Sequence, residues 1–274
     1  MEDYMNSSKT TRILIEGAMM TALATVLSIF KLIDMPYGGS VTIASALPLI
    51  IFAYRNGIGW GLLGGLSHAV IQQLLGLNTL SYVTGWQSVL AVILLDYIIA
   101  FTLVGLGGIF RKACKTQSGA LLLGALLISV LRYVCHVISG ATVWAGLSIP
   151  DEAALIYSFG YNATYMLPET VISCAAAYYL GGLVDFSKAI PERMAKKEST
   201  ANRFPAIALS GAAFILGMIV DVWLIAPCLQ DEETGEFIIS GLANADWLSV
   251  GIVTAASIII GAFLLIKGRK ESNS

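Results

Sequence analysis

Residues 88–110 read SVLAVILLDYIIAFTLVGLGGIF, twenty-three positions with a single charged side chain, Asp96. About 20 apolar residues in a helix are enough to cross the hydrocarbon of a bilayer, so the run reads as a transmembrane helix. Working outward from it, similar runs place helices near 13–33, 43–54, 57–76, 119–141, 154–185, 205–228 and 247–267. Only 12% of the 274 residues are charged and 57% are hydrophobic, where a soluble domain carries roughly a quarter charged residues. The expected fold is an all-α integral membrane protein of about eight spans. Six helices form a body over 1–186, a polar and basic linker covers 187–204, and a two-helix hairpin covers 205–274. The first apolar run, flanked by Lys9 and Arg12, has the outline of a signal peptide. It continues to Ile33 and many spans follow, so it reads as an uncleaved first helix. Pro168 inside the sixth helix predicts a kink or an irregular first turn.

Charge orients the chain. With the N-terminus inside, 14 of the 16 Lys and Arg residues fall on cytoplasmic segments, leaving only Lys31 and Arg132. The outer loops carry Asp34, Asp151, Glu152 and Asp231–Glu233 instead. The positive-inside rule therefore puts both termini in the cytoplasm. A net charge of −2 gives no basic surface for nucleic acid. Four scattered cysteines without CxxC spacing indicate neither a metal site nor a disulfide framework.

Several motifs have plain readings. Gly59–Gly64 matches GxGxxG, but no strand precedes it, so it is not a dinucleotide fingerprint. Glycines at 57, 61 and 65 recur every four residues, a spacing that lets helices approach closely. The Asn162-Ala163-Thr164 sequon lies within a span. His68, with Gln72 one turn later, reads as an interhelical hydrogen-bonding group. Ala18 and Ala22 form a small-xxx-small pair that suits packing within the chain or docking of another membrane protein. Asp221 is an intramembrane acid with no obvious partner, in a hairpin that is either accessory or a further contact for a partner. No internal repeat and no GxxxxGK[ST] are present, so the chain reads neither as an inverted-repeat transporter nor as an ATPase.

The polar residues that remain converge. Residues 132–169, RYVCHVISGATVWAGLSIPDEAALIYSFGYNATYMLPE, place Arg132 and His136 one turn apart near the outer end of a helix. Trp144 follows in the outer loop, and Tyr157 and Asn162 open the next helix. Asp96 lies about eight residues, roughly 12 Å, into its own helix. An Asp96–Arg132 ion pair with an interfacial aromatic belt is one reading. The other is a site for a flat, cationic heteroaromatic solute. A carboxylate supplies the counter-charge, aromatic faces attract the cation, and His and Asn read ring nitrogens or an amino group. Polar groups at membrane depth favour this functional reading. No nucleophile, metal cluster or paired acids suggest catalysis.

Five segments carry a family resemblance: Pro36-Tyr37-Gly38-Gly39-Ser40-Val41-Thr42, Leu95-Asp96-Tyr97 with Ala100-Phe101, Arg132-Tyr133, His136-Val137-Ile138-Ser139-Gly140, and Tyr157 with Tyr161–Met166. Together, over roughly 10–185, they resemble the ThiT (YuaJ) family of thiamine-specific S-components of energy-coupling-factor transporters. The resemblance implies a six-helix fold in the bacterial plasma membrane that binds thiamine and is not itself an enzyme. It implies no cofactor. By motif, Asp96 faces the ligand, His136 and Asn162 hydrogen-bond it, and Trp144 and Tyr157 stack on its rings. Trp86, Tyr97 and Tyr37 join them, with the loop at 37–42 capping the pocket. Ala18 and Ala22 match the family's docking motif for a transmembrane coupling subunit that works with two cytoplasmic ATPases. A thiamine precursor such as a hydroxymethylpyrimidine, a membrane enzyme using His136 and Asp96, and a purely structural scaffold remain the alternatives.

Overall fold

The computed structural model describes residues 2–35, 38–83, 85–146, 151–194 and 239–271, and, between the last two stretches, 209–210, 213, 216–217, 220–221, 224–225 and 228. The chain divides into two units, Met1–Met194 and Ala195–Ser274. The first is an all-helical bundle of α1 (Glu2–Ile29), α2 (Leu47–Asn56), α3 (Ile58–Leu75), α4 (Trp86–Lys112), α5 (Gln117–Gly146) and α6 (Asp151–Leu183). Two short antiparallel hairpins accompany them, β1 (Lys31–Asp34) with β2 (Ser40–Thr42), and β3 (Val184–Asp185) with β4 (Glu192–Arg193).

Among the described residues, four helical stretches are long and apolar enough to cross a membrane: Lys9–Ile29, Trp86–Lys112, Gln117–Val143 and Trp247–Leu264. The ten-residue α2 is too short to cross alone. It is enclosed instead, with every residue from Leu47 to Tyr54 buried, which explains a sequence apolar on all sides. α1 is its opposite. Leu14, Ile15, Met19, Leu23 and Val26 are exposed, whereas Gly17, Thr21 and Ala24 face inward.

Helix ends and the expected break at Pro168 differ from the sequence reading. α1 ends at Ile29 rather than near 33, because Lys31–Asp34 pairs with Ser40–Thr42 and takes its hydrogen bonds from that ladder. α5 runs to Gly146 rather than 141, so Trp144 belongs to helix and not to loop. No breaker interrupts 141–145, and Ser88 Oγ donates to the Thr142 carbonyl at 2.9 Å, satisfying a group near the helix end. α6 continues unbroken through Pro168, which is fully buried.

Small residues set the helix spacing. A Cβ at Gly61 would lie 2.5 Å from the Ala53 Cβ and the Gly105 carbonyl, and one at Gly65 would lie 2.7 Å from the Thr102 carbonyl. These two behave as the four-residue spacing predicts. Gly57 does not: it has open space around it and φ 93°, so it is the turn between α2 and α3. At one end of the bundle Arg55 pairs with Glu16 of α1 and donates to the carbonyls of Phe186 (2.7 Å), Lys188 (3.0 Å) and Ala189 (3.1 Å). Arg111 donates to the carbonyls of Tyr54 and Arg55 at 3.0 and 2.8 Å. Arginines that the sequence places on the cytoplasmic side thus also close helix ends.

In the second unit a 3-10 turn (Ile239–Asn244) leads into the helix Trp247–Glu271. Asp221, which lacks an obvious partner in the sequence, accepts a hydrogen bond from Thr254 Oγ1 at 2.6 Å.

Gly105→Leu forces a side chain into the backbone of Gly61 and Leu62. We expect it to lower the stability of the detergent-purified protein by about 3 kcal/mol. Gly59→Leu, where a Cβ meets nothing within 4 Å, should leave the thermal midpoint nearly unchanged.

Candidate functional site

The centre of the site is the Asp96 carboxylate. Its Oδ1 lies 2.8 Å from His136 Nδ1, and its Oδ2 accepts from Ser139 Oγ at 2.8 Å. Arg132, His136 and Ser139 stand at i, i+4 and i+7 and so share one face of α5. The acid occupies an eight-residue π-helical stretch, Val92–Ile99, within α4. Such stretches widen the helix and recur at functional sites. This one turns Asp96 toward α5.

On α6 the spacing Ser158, Asn162, Tyr165, Glu169 forms a second polar face. Asn162 Nδ2 donates to the carbonyls of His136 (3.2 Å) and Ser158 (2.8 Å), and its Oδ1 accepts from the Tyr165 hydroxyl at 2.5 Å. Ser158 Oγ donates to the Val137 carbonyl at 2.7 Å. Gly140 makes this approach possible, since a Cβ there would collide with Ser158 Oγ and lie 3.2 Å from Asn162 Nδ2. The rings of His136 and Tyr165 are 6.3 Å apart, and those of Tyr165 and Tyr161 6.2 Å. With the helix ends where the structure puts them, Asp96 and His136 each lie ten residues from Trp86 and Gly146 respectively. That is about 15 Å from the end, half the hydrocarbon thickness, and deeper than the sequence reading placed them.

Of the residues expected in the site, Asp96, His136 and Asn162 are brought together, and Tyr157 is buried on the same helix as Asn162. Tyr97 turns away from the acid: its hydroxyl lies 3.1 Å from Thr79 Oγ1 and donates to the Gly76 carbonyl. Trp86 begins α4 and is 73% exposed. Tyr37 and the Trp144 side chain lie outside the described residues. Arg132 does not pair with Asp96. Its guanidinium sits 4.7 Å above the Phe101 ring and is attracted by the buried Glu169. His68 behaves as expected, 3.2 Å from both Thr25 Oγ1 and Gln72 Nε2. Ser139, Ser158, Tyr165 and the Glu169–Thr42 contact support the site, although the sequence reading did not single them out. Their i, i+3, i+4 and i+7 spacing was the available signal. Among the described residues no group of three His, Cys, Asp or Glu side chains is gathered to hold a metal.

A family model described as thiamine transporter protein (Thia_YuaJ) matches residues 14–184. The chain belongs to this family. It is 36% identical over 182 residues to the thiamine transporter ThiT of Bacillus subtilis (strain 168), covering 62% of this chain and 90% of that protein. The ThiT of Lacticaseibacillus paracasei is 26% identical over 188 residues, covering 62% and 86%. A solved structure of ThiT from Listeria monocytogenes superposes with a TM-score of 0.51 at 22% identity, over 63% of this chain and 94% of that one, which speaks to the fold. Family membership and the apolar helices make this a multi-pass protein of the bacterial plasma membrane. The family match ends before the second unit begins.

Tyr165→Phe removes the hydroxyl that holds Asn162. We expect a loss of about 1 kcal/mol in stability, read as a lower thermal midpoint in detergent.

Proposed function

We propose that the first unit is a thiamine-binding S-component that hands the vitamin to a separate ATP-driven module. The observation that carries this reading is the Asp96–His136 pair deep within two apolar helices, with a quarter of the Asp96 side chain (24%) still accessible. Thiamine joins a cationic thiazolium to an aminopyrimidine. Asp96 supplies the counter-charge, and Arg132, which rests on Phe101, does not pair with it. When His136 Nδ1–H donates to Asp96, Nε2 becomes an acceptor for an amino group. Tyr157 and Trp144 are the aromatic groups assigned to stacking, Tyr37 belongs to the loop that caps the site, and Tyr97 buttresses α4 beside it. Asn162 has its donors engaged by protein, so it meets the ligand through Oδ1 and otherwise positions His136. The names of the relatives support the ligand.

Ala18 and Ala22 are exposed on α1, which suits docking on a transmembrane coupling subunit carrying two cytoplasmic ATPases. The body over 1–186 performs binding, the segment 187–204 is a cytoplasmic linker, and the hairpin over 205–274 is an addition whose Asp221 is held by Thr254. Both termini are cytoplasmic in this arrangement, with α2 and the β1–β2 segment together making one of six crossings in the body, and two more crossings in the hairpin.

Titrating purified protein with thiamine while following tryptophan fluorescence tests the ligand. Saturable quenching at nanomolar concentration corresponds to about −12 kcal/mol. Asp96→Asn should weaken the affinity by at least about 100-fold, close to 3 kcal/mol, in a protein that still folds. Unchanged affinity would remove Asp96 from the role. Ala18→Trp should bind thiamine normally yet abolish uptake by cells, and normal uptake would take that face out of the transport cycle.

A further inference from the structure

Glu169 is buried at 4% exposure and has no part in the ligand contacts assigned above. Both its carboxylate oxygens are occupied by one residue, 127 positions away in the chain. Oε2 accepts from the Thr42 backbone N–H at 2.5 Å and Oε1 from Thr42 Oγ1 at 2.8 Å. Thr42 is the last residue of β2, where the chain is neither helical nor shielded by a sheet, since β2 pairs with β1 alone. Non-helical backbone at membrane depth persists only where protein satisfies its polar groups. Glu169 does this for Thr42.

The rest of the segment follows α6 in step. The Gly38 carbonyl accepts from the Tyr161 hydroxyl at 2.8 Å, and Gly39 packs so tightly on Tyr165 that a Cβ would come 2.5 Å from its ring. From Gly38 to Thr42 is four extended residues, about 13 Å. From Tyr161 to Glu169 is eight helical residues, about 12 Å. The two lengths match, so the segment lies along one face of α6 with contacts at both ends and the middle. The middle contact, Tyr165, is the residue whose hydroxyl holds Asn162, and Asn162 in turn donates to the His136 carbonyl. Gly38 and Gly39 adopt φ of 97° and 87°, so the chain bends where glycine allows it. Glu169, at the far end from these glycines, fixes the other terminus of the segment.

We propose that Glu169 is a positioning residue: its two hydrogen bonds to Thr42 latch the extended segment Gly38–Thr42 against α6, and the strength of that latch sets how long a ligand stays in the Asp96–His136 site. The ligand used to read this rests on the thiamine assignment; the latch itself does not. Release of the latch frees the segment from Tyr161 and Tyr165 and uncovers the site from the α6 side. Entry and departure both pass through the open segment, so a weaker latch speeds both.

The test uses the full-length protein in detergent with Glu169→Ala, Glu169→Gln, Thr42→Val and Thr42→Ser. Two quantities are followed: amide hydrogen exchange across 38–45 without ligand, and the association and release rates of thiamine. Glu169→Ala and Thr42→Val should speed exchange in this segment, and thiamine release, by about tenfold each, the equivalent of one hydrogen bond. Association should speed by a similar factor, leaving the affinity within about threefold. Glu169→Gln and Thr42→Ser should remain within about threefold of wild type, since an amide oxygen still accepts the N–H and a serine hydroxyl still reaches the side chain. If Glu169→Ala does not fold, the Thr42→Val and Thr42→Ser pair decides. Unchanged exchange overturns the latch, and faster exchange with unchanged release overturns its control of residence. Should wild-type protein fail to bind thiamine, the ligand assignment falls while the exchange measurement still judges the latch.

Discussion

Hydrocarbon offers no water, so a carboxylate inside the bundle must find its hydrogen-bond donors in the protein. Two acids in the first unit meet this demand, and the architecture is arranged around them. Asp96 takes one donor from His136 and one from Ser139, which fixes α4 against α5. Glu169 takes both donors of Thr42, which fixes the chain between β1 and α2 against α6. Removing Asp96 would strand two donors and removing Glu169 the Thr42 N–H, since the Thr42 hydroxyl also reaches Ser45 Oγ; each donor left buried without an acceptor costs about 1–3 kcal/mol.

These hydrogen bonds are short because the helices come close, and the helices come close because side chains are absent where they cross. Gly61 meets Gly105, Gly107 meets Gly124, and Gly140 makes room for Ser158 and Asn162. Between helices surrounded by lipid there is no hydrophobic gain to drive association, so packing and polar interactions hold them together. The glycines therefore serve the site as well as the fold. A methyl group at Gly140 would push α6 away from α5 and break the hydrogen bond from Asn162 to the His136 carbonyl.

The site is consequently governed by a balance of charge. Arg132 rests on Phe101 rather than on Asp96, so the Asp96 carboxylate is left as the partly accessible acceptor of the site. That arrangement suits a cation and disfavours an anion, in keeping with the transporter family to which the chain belongs. Tyr97 and Trp86 show where assigning roles by motif stops. One supports the helix through Gly76, and the other stands exposed at its start.

The sequence alone determined the solvent, the helical class and the family, because each depends on content and local order. Long apolar runs demand a bilayer, basic residues segregate by side, and ordered short motifs identify a lineage. It also marked Asp96, His136 and Asn162, since polar groups among aliphatic ones are conspicuous. Helix ends were less legible. The end of α1 was set by a β-ladder with residues six to eleven positions on, and the end of α5 by a serine on α4, neither of which is a signal within the helix itself. The tertiary structure alone decided the partners. That Asp96 meets His136 rather than Arg132, that a π-helical stretch turns it there, and that Glu169 holds Thr42 across 127 residues depend on which helices pack together. A hydrogen bond depends on distance in space, and spacing along one chain specifies that distance only within a single helix.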